Sequence, residues 1–109
     1  VHEGPHAISK NNKIKIKEGM IVSNEPGYYE KNNFGIRIEN LIYIKKTKQK
    51  NHFENLTMAP IDKELINKKL LSKDEKNWIN RYHKTVYDNI KRFMINDEID
   101  ELKKACSVI

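Results

Sequence analysis

Cysteine is almost absent. Cys106 is the only one, so no disulfide can form within the chain, which fits a reducing compartment. It lies at the end of a predicted helix, where an incidental or buried thiol explains it better than a nucleophile does. No apolar run approaches the ~20 residues that a bilayer-spanning helix needs. There is no internal repeat and no low-complexity tract. Also missing are a glycine-rich phosphate loop, a CxxC pair, an HExxH helix and a nucleophile elbow. The common local signatures of nucleotide binding, structural zinc, zincins and serine hydrolases are therefore not here. The first residue is Val1 and not methionine, so the natural N-terminus is expected upstream and targeting segments are not readable.

Acidic residues are the scarcer charge. Lys and Arg number 21 against 15 Asp and Glu, a net charge of +6 over 109 residues. Such a balance admits a small basic RNA-binding module. The lysines are scattered, however, and dense only at Lys13–Lys17 and Lys45–Lys50. Lys13, Lys15 and Lys17 alternate with Ile14 and Ile16, the pattern of a strand's wet face. The abundance of Asn and Lys suits an AT-rich genome. Neither a nucleic acid nor a membrane is expected as a partner.

With 33% charged and 38% hydrophobic residues, the chain suits one small domain or part of a larger one. The first half reads as β. Ile14 and Ile16 predict one strand, Met20–Val22 a buried one, and Ile36–Glu39 with Leu41–Ile44 a further run. Glu18-Gly19, Pro26-Gly27 and Lys31-Asn32-Asn33 read as breaks, so a strongly bent antiparallel sheet is expected. Lys45–Glu54 reads as a polar loop. The second half reads as helical. Ser72-Lys73-Asp74-Glu75 fits a capping box. Trp78, Ile79, Tyr82, Val86, Ile90, Phe93 and Met94 follow as one apolar stripe, a core or an interface. Asn96 or Asp97 reads as the cap of a last helix from Glu98 to about Cys106.

The polar candidates gather in "SNEPGYYEKNNFGIRIEN", Ser23 to Asn40. Glu25 ends one apolar run and Glu39 another. A hairpin could bring the two carboxylates together, and hard oxygen ligands on stiff strands suit divalent Mn, Co or Zn. Arg37 shares a face with Glu39, where a guanidinium can orient a carboxylate. On spacing alone, solvated strand ends with a surface Arg-Glu pair are the more ordinary reading. His83 reads as structural beside the stripe, and His6 and His52 as loop residues.

Three stretches in order, "VHEGP", "GMIVSNEPGYYE" and "FGIRIENLIYI", resemble the C-terminal part of the pita-bread metallopeptidases, specifically the eukaryotic cytosolic Xaa-Pro aminopeptidase group. "FENLTMAPID" and "NWINRYH" resemble that group's C-terminal extension. The resemblance implies an α+β chain. Residues 1–60 would be the C-terminal part of a bent-sheet pita-bread domain, and residues 61–109 a helical extension that packs on it and makes homodimer contacts. It implies two divalent metal ions, usually Mn2+, held by two Asp, one His and two Glu. Only the two Glu fall here: Glu25 resembles the ligand of one metal, which also takes a proton from the attacking water, and Glu39 the ligand shared by both. His2 resembles a histidine that steadies the oxyanion, and Tyr29 and Arg37 resemble residues that support the ligands. The other three ligands would lie upstream of Val1. The implied activity is removal of the N-terminal residue from peptides with proline second, by a cytoplasmic enzyme of which this chain alone would be inactive. The alternative is a non-catalytic pita-bread relative that binds proteins or peptides; retention of both glutamates weighs against it.

Overall fold

Alternating burial builds the longest strand. In the computed structural model, which describes residues 4–48 and 50–109, Asn40, Ile42 and Ile44 point inward while their neighbours do not. This strand is β4 (Asn40–Thr47), and it lies between β1 (Ile21–Asn24) and β5 (Lys50–Asn55) in an antiparallel sheet ordered β1-β4-β5. A second antiparallel pair, β2 (Gly27–Tyr29) with β3 (Gly35–Arg37), completes the strands. Val22, Ile42 and Ile44 form the core of this first unit, with Ile16 and Met20 packed against it. The unit ends at Thr57, and a second compact unit begins at Met58.

Two expectations are corrected here. The Lys45–Glu54 loop is the β4–β5 hairpin, paired from Ile42–Asn55 to Thr47–Lys50. Lys45 and Lys46 are exposed residues of β4, and Glu54 on the facing strand pairs with Lys45. Tyr43 donates to Glu54 Oε2 at 2.8 Å, Lys45 Nζ to Oε1 at 2.9 Å, and His52 Nε2 lies 3.2 Å from Oε1. Lys48 takes a left-handed φ of 57°, which lets the chain reverse tightly. Conversely, Ile14 and Ile16 do not form a strand. Asn12 Oδ1 accepts the Ile14 amide at 2.7 Å, a local turn bond that competes with sheet pairing.

The second unit is helical as expected. Helix α1 (Lys73–Ile90) starts at a capping box: Ser72 Oγ accepts the Glu75 amide at 3.3 Å, and Glu75 Oε2 accepts the Ser72 amide at 2.8 Å. Ile79, Tyr82, His83 and Val86 are its buried face. The stripe is narrower than expected, because α1 stops at Ile90 and a single 3-10 turn follows. That turn rotates Phe93 outward to 73% exposure. Trp78 is half exposed and stacks on Tyr82, 5.5 Å between ring centres. Helix α2 (Asn96–Ala105) begins two residues earlier than expected: Glu98 Oε2 reaches back to the Ile95 amide at 3.0 Å, so Ile95 takes the capping position. Leu102 joins Tyr82 and Val86 in the core, with Met58, Ile61, Tyr87, Ile90, Met94 and Cys106 around them. Among the described residues, no helix is long and apolar enough to cross a membrane.

Candidate metal centre

The site begins with a proline that interrupts a ladder without shifting it. β1 pairs with β4 through Ser23–Leu41 and Asn24–Asn40, and β2 pairs with β3 through Gly27–Arg37 and Tyr28–Ile36. The two ladders keep one register. Between them the Ile38 amide donates to the Pro26 carbonyl at 3.2 Å. Continuing the same count across the gap sets Glu25 opposite Glu39. Directly opposed residues of an antiparallel pair carry their side chains on one face. Pro26-Gly27, read from the sequence as a break, therefore keeps the register; the proline removes a ladder donor beside the two carboxylates.

Strand periodicity extends the constellation. Residues two apart share a face, so Glu25 and Tyr29 on one side and Arg37 and Glu39 on the other belong to a single face of the ribbon. This face is opposite to that of Val22, Ile42 and Ile44. Arg37 Nη2 lies 3.2 Å from Glu39 Oε2 in an ion pair that is about half exposed. The ribbon reverses through Lys31-Asn32-Asn33, where Asn32 adopts a φ of 61° and Asn33 Nδ2 donates to Glu30 Oε2 at 2.9 Å. On the other face Tyr28 and Phe34 pack with ring centres 6.1 Å apart.

Glu25 is the unusual member. Its Oε2 is buried and has no hydrogen-bond partner among the described residues. Leaving a carboxylate oxygen out of water without a donor is costly, and such an atom needs a positive partner. Two opposed carboxylates, one with a free buried oxygen, fit a hard divalent cation with oxygen preference. Among the described residues no group of three or more His, Cys, Asp and Glu gathers for metal, so the glutamates are at most part of a ligand set. His2 lies outside the described residues. His6 Nε2 is 3.0 Å from the Ile21 carbonyl, a bond that occupies it structurally.

Two groups escaped the sequence reading. Glu54, assigned to a loop, holds three partners, and they depress its carboxyl to about 2, Lys45 foremost, then Tyr43 and His52. The same bonds raise the Tyr43 hydroxyl and the Lys45 ammonium, Glu54 being the main cause in both. Gly27, read only as part of a break, and Gly35 lie under the Tyr29 ring. The spacing of a glycine two residues before the tyrosine was the available signal.

An antiparallel ribbon bearing opposed carboxylates, joined in sequence to a helical unit, defines a class. Residues 1–46 match the metallopeptidase family M24 and residues 50–109 match the C-terminal region of peptidase M24. The chain belongs to the peptidase M24 family. It is 43% identical to a probable Xaa-Pro aminopeptidase P of Coprinopsis cinerea, over 100% of this chain and 20% of the relative. It is 40% identical to that of Laccaria bicolor, over 98% and 19%. The X-prolyl aminopeptidase of Caenorhabditis elegans, described as a cytosolic enzyme with a di-nuclear active site, superposes on the whole chain with a TM-score of 0.85 and 33% identity, using 19% of its own length. The α+β, pita-bread expectation holds. The chain spans about a fifth of the length of the curated relatives it matches.

Proposed function

We propose that the full-length protein carrying this chain is a metal-dependent aminopeptidase that removes the N-terminal residue from peptides with proline in second position. The observation that supports this most is the buried Oε2 of Glu25, unpartnered among the described residues, in the gap between two ladders whose common register sets Glu25 opposite Glu39. Two divalent cations, manganese in our reading, supply when bound the charge that acidifies a water and polarises a carbonyl. Glu25 and Glu39 would be the ligands contributed here. Two Asp and a His complete the set from upstream of Val1.

The chain's own residues then have distinct tasks. Glu25 accepts the proton that the attacking water gives up. Arg37 holds Glu39 by the 3.2 Å ion pair, so its carboxylate does not swing out of line. Tyr29 adds a phenol to the same face. His2 donates to the carbonyl oxygen as negative charge grows on it, a contribution of roughly 10²–10³ in kcat for donors of this kind. Residues 61–109 supply packing and homodimer contacts, and the enzyme works in the cytoplasm. The relatives' names support the activity, and the di-nuclear, cytosolic neighbour supports the pair of cations and the compartment.

The test uses the full-length protein. Two metal equivalents per chain are expected by elemental analysis, with cleavage confined to peptides carrying proline second. Glu25→Gln should lower kcat steeply. The isolated 109-residue chain should be inactive even with added manganese, since two carboxylates do not hold a pair of cations. Turnover by the isolated chain, or a full-length protein that binds no metal, would overturn the reading.

A further inference from the structure

Gly27 and Gly35 do not have the backbone that usually calls for glycine. Both lie in strands, and neither has the positive φ seen at Gly19, which is 82°. Their lack of a side chain is used for space instead. A Cβ on Gly35 would stand 2.6 Å from Tyr29 Cδ1 and 3.0 Å from Cε1. A Cβ on Gly27 would stand 2.8 Å from the Tyr29 hydroxyl oxygen and 2.9 Å from Cε2. One ring therefore lies over both glycines: its base is against Gly35, its directly opposed neighbour, and its tip is at Gly27, two residues back along its own strand.

The consequence is where the hydroxyl ends. Gly27 is opposed to Arg37, and the next outward-facing row on that face is Glu25 with Glu39. A tyrosine standing upright at position 29 would aim its hydroxyl into solvent. Laid back over two empty positions, it brings that hydroxyl into the Gly27–Arg37 row, one row from the carboxylates and on their side of the ring. The ring's other side remains open, with Tyr29 67% exposed, so general core packing does not account for the posture.

We infer that Gly27 and Gly35 are positioning residues: together they form a seat that directs the Tyr29 hydroxyl, a hydrogen-bond donor, toward the carboxylate pair. This rests on the metal-ligand reading of Glu25 and Glu39. Aromatic rings also stabilise strand glycines for purely structural reasons, and the experiment must separate the two roles.

A double-mutant cycle in the full-length protein does so. Tyr29→Phe keeps the ring and removes the hydroxyl. Manganese affinity, by chelator competition, and kcat are expected to fall roughly 10-fold or more, the scale for groups that orient metal ligands, with little change in melting temperature. Gly35→Ala and Gly27→Ala should each lower manganese affinity and kcat similarly. In the Tyr29→Phe background they should add almost nothing, because the hydroxyl they misplace is already gone. Glycine substitutions that leave affinity and kcat unchanged, or that impose their full cost on Tyr29→Phe as well, overturn the inference. If the alanine variants do not fold, Tyr29→Phe with unchanged metal affinity and kcat overturns it alone. Glu39→Gln is the control for the underlying reading: a Glu39→Gln protein that keeps both metals refutes the ligand assignment, whatever the cycle gives.

Discussion

Ile38 and Pro26 share one hydrogen bond, amide to carbonyl at 3.2 Å, and it carries the register of one ladder into the next. Pro26 has no N–H, so this bond is the one that spans the gap between the pairs Asn24–Asn40 and Gly27–Arg37. Ile38→Pro deletes its donor and leaves both glutamates in place. In the full-length protein, metal affinity should then fall by more than about 10-fold, as expected when ligand orientation is lost. Ile38→Val keeps the amide and should retain metal. Elemental analysis of the two variants checks this, and equal metal content in both would show that the bond does not hold the carboxylates together.

Arg37 and Glu39 should separate in the same measurement. Glu39→Ala removes an oxygen donor shared by both cations in our reading, and both should be lost. Arg37→Ala leaves the carboxylate and removes only the group that orients it. Its cost should be about 10–100-fold in activity, with less metal lost. The ion pair is half exposed, so little stability depends on it and melting temperatures of wild type and Arg37→Ala should be close. Identical metal loss in both variants would refute the division of roles.

Glu54 makes the β4–β5 hairpin sensitive to acid. Its folded carboxyl is held at about 2, against 4.5 for a free glutamate. A depressed carboxyl stabilises the fold above its unfolded value, and that contribution is lost as pH falls from about 4.5 through about 2. The group is solvent-facing, which keeps the effect small. Urea midpoints of wild type and Glu54→Gln should therefore differ at pH 6 and converge as pH is lowered through that window. A constant difference would assign the contribution to packing and not to charge.

How much of this was legible depends on sequence separation. The Ser72–Glu75 capping box reads directly because both partners lie within one turn. The glutamate pair was legible as motif, yet its alignment was not, since Pro26 looks like a break and the preserved register is visible only in three dimensions. The Lys45–Glu54 hairpin was missed because consecutive exposed lysines resemble a loop; the carboxylate that collects Tyr43 and Lys45 belongs to the facing strand, beside His52. Ile14 and Ile16 failed in the other direction: alternation predicts a strand only where a partner edge exists, and Asn12 ties the segment into a turn first. Gly27 and Gly35 illustrate a third case, where a residue matters for what it lets a neighbour do.

His83 supplies the last test, in the helical unit. It is fully buried, and its Nε2 accepts the Ile61 amide at 3.0 Å, while its Nδ1 has no partner among the described residues. An acceptor Nε2 requires a neutral ring with its proton on Nδ1. Burial is the main force lowering its basicity, with the Lys63 charge acting in the same direction. The folded state therefore binds this proton less readily than the unfolded chain, whose value is near 6.5. Stability from the neutral ring is complete above that value and is lost as pH falls below it. His83→Leu orphans the Ile61 amide and should cost about 1–3 kcal/mol at pH 8. The variant should also lack the part of the acid dependence that sets in just below pH 6.5. Melting temperatures of both full-length proteins from pH 8 to pH 5 check the sign: a gap that narrows toward acid supports the neutral, buried ring, and a gap that widens would mean that the folded protein prefers His83 charged.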